Sequence, residues 1–125
     1  MRFLIVEDDP ITMKMLKTVL SKYGECDCAN NGIDGLDKVI EAGARNEPYD
    51  LVTLDIMMPR MDGHDVLARI KRLRKTNSPK VVMITALGDK KNIQKSYVRG
   101  CDGYLIKPIE REAIETKLRA LELID

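Results

Sequence analysis

Short β-type apolar runs alternate five times with longer amphipathic stretches, and this alternation leaves few architectures open to the chain. The runs are Phe3-Leu4-Ile5-Val6, Cys26-Asp27-Cys28-Ala29, Leu51-Val52-Thr53-Leu54, Val81-Val82-Met83-Ile84 and Tyr104-Leu105-Ile106. The first, third and fourth lack the in–out alternation of half-exposed strands, as expected of parallel strands covered on both faces. Helical spacings lie between them. Met15, Leu16, Val19 and Leu20 follow Pro10 and stop at Tyr23-Gly24, and Ile33, Leu36, Val39 and Ile40 close at Gly43. Val66, Leu67, Ile70 and Leu73 break at Asn77-Ser78-Pro79, and Ile114, Leu118 and Leu121 mark a last helix running to the end of the chain. The fourth helix, over 89–99, has only Ile93, Tyr97 and Val98 as apolar anchors and is predicted to be loosely held. This βα order predicts an α/β fold with an open, doubly wound parallel sheet and right-handed crossovers. Such sheets bind ligands at the carboxyl ends of their strands, where the strand order reverses.

With 125 residues, 44% of them hydrophobic, the chain suits one packed domain over 1–125. No repeat or linker divides it. Twenty-one Lys and Arg against 20 Asp and Glu leave a net charge of +1, so no global field draws it to nucleic acid or a lipid surface. The N-terminal apolar run reaches Glu7 too soon for a secretory signal, and no run is long enough to span a bilayer, so a cytoplasmic location is expected. Cys26, Cys28 and Cys101 fit no CxxC or zinc spacing and read as small core side chains. The single histidine, His64, reads as an exposed, incidental residue near a helix start. The basic stretch from Arg69 to Lys75 reads as a solvated face.

At the strand ends stand Glu7, Asp8 and Asp9 after the first, Asp55 after the third, Thr85 after the fourth, and Lys107-Pro108 after the fifth. Each has a bland explanation alone. The three acids before Pro10 suit a helix N-terminus, Asp55 a solvated loop, Thr85 a turn. Their joint placement on four strands is what carries meaning. Gathered carboxylates repel unless a cation sits among them, and hard oxygen ligands without His or Cys favour Mg²⁺, with Mn²⁺ as a substitute. Lys107 adds a second positive point and Thr85 a hydroxyl donor, both suited to phosphoryl oxygens. Metal, ammonium and hydroxyl around one carboxylate make a receptor for a phosphoryl group in transfer, giving an acyl phosphate.

Four segments, Leu4 to Asp9, Asp50 to Gly63, Val81 to Ala86 and Gly100 to Pro108, closely resemble the CheY-like receiver domains of two-component response regulators. The resemblance covers essentially the whole chain. It implies the flavodoxin-like (βα)5 fold with strand order 2-1-3-4-5. It also implies a signalling switch that catalyses only its own phosphorylation and dephosphorylation. Asp55 matches the phosphoacceptor. Asp8 matches the direct metal ligand alongside Asp55, Glu7 its partner through a water, and the Met57 backbone carbonyl the remaining protein ligand. A one-residue slip would instead make Asp8-Asp9 the acidic pair. Thr85 and Lys107 match the groups that contact the phosphoryl oxygens, and Thr85 and Tyr104 the switch pair. Lys107-Pro108 matches a bond that is cis in the family.

The implied partners are a histidine kinase or phosphotransfer protein as donor, and a downstream effector or fused output domain as receiver of the signal. A phosphorylation-dependent homodimer is a further expectation, while nucleic acid and membrane are not expected partners. The output face is expected on the fourth helix, fifth strand and fifth helix, with Lys90, Lys91, Lys95 and Arg99 lending positive charge. Met57 and Leu87 occupy the positions that tune access of water in the family. Neither can hydrogen-bond an attacking water, so slow self-dephosphorylation is expected. The rival readings are a Mg²⁺-dependent aspartyl phosphohydrolase, which typically needs an acid where Met57 stands, and a receiver-like domain that is never phosphorylated.

Overall fold

In the computed structural model, residues 1–73, 78–86 and 88–125 are described, so Leu87 and the break predicted at Asn77 lie outside the described residues. Five strands, β1 (Arg2–Val6), β2 (Glu25–Ala29), β3 (Leu51–Asp55), β4 (Lys80–Thr85) and β5 (Gly103–Ile106), alternate with five helices. The helices are α1 (Pro10–Leu20), α2 (Gly32–Ala44), α3 (Gly63–Lys71), α4 (Lys90–Val98) and α5 (Arg111–Ala120). The strands form one parallel sheet in the order β2-β1-β3-β4-β5. The order reverses beside β1, so β1 and β3 end on the crevice that a doubly wound sheet offers to ligands.

Both faces of the sheet are covered, which explains the unbroken apolar runs. Leu4, Val6, Val52, Leu54, Val81 and Met83 point into one core, which takes in Leu36 and Val39 of α2 and Val66, Leu67 and Ile70 of α3. Phe3, Ile5, Leu51, Val82 and Ile84 point into the other, with Leu16 and Leu20 of α1 and Ile114 and Leu118 of α5. Cys101 is buried, whereas Cys26 and Cys28 are half-buried on the edge strand β2, and all three are free thiols.

Local chemistry sets the helix starts. The Asp9 carboxylate accepts from the Ile11 amide at 3.2 Å, with Pro10 opening α1. Asn31 accepts from Asp34 N and Asp62 from Asp65 N, at 2.9 and 3.0 Å, to start α2 and α3. Three helices end in a left-handed residue: Asn46 (φ 56°) after α2, Gly100 (φ 97°) after α4 and Glu122 (φ 60°) after α5. At each the paired carbonyl closures of a Schellman motif are made, for example Glu47 N to Ala42 O and Asn46 N to Gly43 O.

Several details differ from the sequence expectation. α1 ends at Leu20, ahead of Tyr23-Gly24, because a tight turn returns the Tyr23 and Gly24 amides to the Leu20 carbonyl. α2 runs through Gly43, which is buried, and its end is made by Asn46 instead. α5 stops at Ala120, well before the last residue, where Glu122 takes up the left-handed turn. Met15 and Ile40 are exposed; the apolar face of α2 is completed by buried Gly35 and Ala42. A Cβ on Gly35 would fall 2.7 Å from the Val6 side chain, so the glycine is what lets α2 lie close over β1. In α4 the largest departure occurs: none of Ile93, Tyr97 and Val98 is buried, and the buried residue is Ser96.

Candidate functional site

Backbone pairing continues one residue past the strand ends and carries the polar side chains with it. Glu7 N donates to Ala29 O at 3.0 Å, Ile56 N to Ile84 O at 3.1 Å and Lys107 N to Thr85 O at 2.8 Å. Glu7, Asp55, Thr85 and Lys107 therefore sit on a ladder rather than on free loops. The Lys107-Pro108 peptide is cis.

The side chains meet. Lys107 Nζ is 3.3 Å from Asp55 Oδ2 and 3.3 Å from Glu7 Oε1, and it hydrogen-bonds Glu7 Oε2 at 3.5 Å. Oxygens of Glu7, Asp8 and Asp55 lie within 4.8 Å of one another. Glu7 is 1% exposed and Asp55 is buried, while Asp8 faces solvent. Asp55 Oδ1 accepts from the Met57 amide at 3.2 Å, which fixes the carboxylate plane, and the Met57 side chain is 72% exposed. The Asp9 amide donates to Glu7 Oε2 at 3.2 Å, but its carboxylate stays out of the cluster: it caps α1 and accepts from Thr12 Oγ1 at 2.7 Å. Those two donors hold its carboxyl below the usual range.

The electrostatics are those of an over-acidic pocket. Burial, then the hydrogen bond and charge of Asp55, push the Glu7 carboxyl up to about 8. Burial alone would lower Lys107, but the charges of Asp55 and Glu7 more than offset it and hold the ammonium above its ordinary value. Among the described residues three buried side-chain oxygens have no hydrogen-bond partner, Thr53 Oγ1 within β3 and, at this site, Glu7 Oε1 and Thr85 Oγ1; Lys107 approaches Glu7 Oε1 without alignment for a bond. Orphaned acceptors beside clustered carboxylates are what a hard divalent cation and a phosphoryl group would satisfy, so the residues present fit both. The cleft between them, about 140 Å³, is lined by Asp8, Asp55, Met57, Thr85, Asp89 and Lys107. Tyr104 stands off this cleft, half-buried on β5, with its ring edge-to-face on Tyr97 at 5.8 Å and Lys117 Nζ 5.6 Å from its centroid.

Two polar residues escaped the sequence reading. Asp89, four positions past Thr85 and read from the sequence only as the start of the fourth helix, reaches the cleft wall from the N-cap position of α4. His64 is 3% exposed, contrary to the expectation of an exposed residue. Its Nε2 lies 2.9 Å from Ser96 Oγ and 3.2 Å from Asn92 O, because α4 packs over the start of α3. Burial lowers its pKa.

A family model described as the response regulator receiver domain matches residues 3–119. The chain is 33% identical over 120 residues to the chemotaxis protein CheY of Treponema pallidum, covering 96% of this chain and 81% of that protein. It is 35% identical over 122 residues to the transcriptional activator protein IrlR of Burkholderia pseudomallei, covering 97% of this chain but only 50% of the activator. Among solved structures, the CheX–CheY–BeF3–Mg²⁺ complex of Borrelia burgdorferi matches with a TM-score of 0.85 and 28% identity, covering 99% of this chain and 90% of that one. The chain belongs to the response regulator receiver domain family, and it is a CheY-like receiver of two-component signalling. No described helix is long and apolar enough to cross a membrane.

Proposed function

We propose that the unit formed by residues 1–125 accepts a phosphoryl group on Asp55 in a Mg²⁺-dependent reaction and passes the change to a partner. The observation that carries this reading is the convergence of Lys107 Nζ on both Asp55 and Glu7, 52 and 100 residues away in sequence. No local structural need accounts for a contact of that span. Asp8, Asp55 and the Met57 carbonyl would hold the ion, with Glu7 reached through a water. When bound, the ion supplies positive charge against the carboxylates and the phosphoryl oxygens.

In the transfer, a carboxylate oxygen of Asp55 forms the new O–P bond as the donor's N–P bond breaks, and the imidazole leaves with the electron pair. With a small acyl phosphate the bond broken is O–P and a carboxylate leaves. Lys107 and the Thr85 hydroxyl then hold the phosphoryl oxygens. The donor is the phosphohistidine of a histidine kinase or phosphotransfer protein. Drawing Thr85 toward the phosphoryl group opens space for the Tyr104 ring to turn inward, which alters the face of α4, β5 and α5. That face carries exposed Tyr97, Val98 and Ile106 among Lys90, Lys91 and Lys95, a mixed surface suited to an effector, a fused output domain or a second copy. Met57 offers no group to orient water, which favours a long-lived acyl phosphate.

Incubation with Mg²⁺ and acetyl phosphate, followed by intact-mass measurement, tests the reading. One phosphoryl adduct is expected on the wild type and none on Asp55→Asn or in excess chelator. An adduct that persists in Asp55→Asn would refute it.

A further inference from the structure

α4 is fastened by polar groups rather than by apolar burial. Ser96 is 0% exposed and is the buried residue of α4, whereas Val98 is 87% exposed. Its hydroxyl donates to Asn92 O at 2.7 Å and meets His64 Nε2 at 2.9 Å. His64 is a fixed post. It follows Gly63, whose amide donates to Ile56 O at 2.9 Å and whose Cα leaves no room for a Cβ, which would fall 2.3 Å from the Asp55 carbonyl oxygen. The start of α3 is thus clamped to the end of β3.

The other end of the same polar chain opens on the cleft. Asn92 Nδ2 donates to Asp89 Oδ2 at 2.5 Å, and Asp89 lines the cleft with Asp55, Thr85 and Lys107. Asp89 stands at the N-cap position of α4, yet its side chain makes no capping hydrogen bond there; only its backbone carbonyl accepts, from Ile93 N at 3.2 Å. Its carboxylate is committed to Asn92 and to the cleft. Replacing the Asp55 carboxylate by a dianionic acyl phosphate makes the cleft more negative by about one charge whatever cation is bound, and a carboxylate in the wall is repelled.

We propose that Asp89 is a positioning residue that reads the charge on Asp55 and, through Asn92 and the Ser96–His64 bridge, sets the seat of α4 on α3. The inference rests on Asp55 being the phosphoacceptor. Repulsion draws Asp89 out of the wall and Asn92 with it, so the first turn of α4 moves and the Ser96 hydroxyl leaves the imidazole. Across the two helices a single imidazole nitrogen meets Ser96 Oγ, in a buried bond, and Asn92 O, in a part-buried one, and separating them leaves polar groups unsatisfied, which favours discrete seated and released positions.

Hydrogen exchange of the α4 amides, with the adduct on each sample checked by intact mass, tests this. In the wild type, phosphorylation is expected to speed exchange across α4 about tenfold. Asp89→Asn keeps the bond to Asn92 and loses the charge; its phosphorylated form is expected to show less than about a twofold change, while Asp89→Glu restores the response. Ser96→Ala is expected to exchange fast with or without phosphate. An unchanged response in Asp89→Asn overturns the inference, as does wild-type protection of unmodified Ser96→Ala. An Asp89→Asn protein that takes no adduct would put Asp89 in the transfer chemistry and equally overturn a positioning role. Absence of an adduct on the wild type would instead bring down the underlying assignment of Asp55, and the inference with it.

Discussion

The Thr85 hydroxyl is buried and without a hydrogen-bond partner, a state that costs about 1–3 kcal/mol relative to an apolar group of the same shape. On the proposed function, a phosphoryl oxygen would satisfy that hydroxyl. Thr85→Val is expected to raise metal-free stability by about 1 kcal/mol in urea unfolding while slowing adduct formation from acetyl phosphate at least about tenfold. A valine variant that is less stable, or as fast as the wild type, would contradict the role given to the hydroxyl. Glu7 shows the same opposition between stability and use. Its carboxyl is displaced to about 8 by burial and by Asp55, so the metal-free pocket holds a proton where a cation is proposed to bind.

At the level of helices and strands, the decisive contacts are backbone approaches. Gly63 lets α3 begin directly against the carbonyl of Asp55. Gly63→Ala is expected to cost about 1–3 kcal/mol in urea unfolding, because the obstructing atoms are backbone and cannot rotate away. The strands and their order follow from patterns the sequence displays openly: unbroken apolar runs, and a polar residue placed where each run stops. Glu7, Asp55, Thr85 and Lys107 were legible for that reason. Helix ends were less so, since Asn46 and Glu122 adopt the left-handed conformation that pattern reading assigns to glycine, while Gly43 lies inside a helix. His64, Ser96 and Asp89 were illegible. A polar residue in a polar stretch looks solvated, and only packing of α4 on α3 reveals that two of these are buried.

For the molecule as a whole, two buried groups shift stability in opposite senses across the weakly acid to neutral range. Glu7 has a folded value above its ordinary 4.5, so the stability tied to its proton is complete below pH 4.5 and is lost as pH rises through about 8. His64 is shifted down from 6.5, so its contribution is complete above pH 6.5 and is lost as pH falls through its folded value. Between pH 6.5 and about 8 the histidine's contribution is already complete and the glutamate sets the slope, while the raised thiols of Cys26 and Cys101 act only from their ordinary 9.0 upward. The urea midpoint in chelator is therefore expected to fall between pH 6.5 and 8.5, and Mg²⁺ is expected to restore it at the upper end by binding the folded state. A flat profile in chelator, or equal loss with Mg²⁺ present, would count against the pocket as described.

The meeting of Glu7 with Lys107 joins the first strand to the last across 100 residues. During synthesis, the acidic pocket has no lysine until β5 emerges and pairs beside β4. A nascent chain lacking that strand would gather Glu7, Asp8 and Asp55 without the ammonium that meets two of them. On the proposed function, the ability to accept phosphate is expected to appear only when β5 closes the sheet, so adduct formation would report that closure.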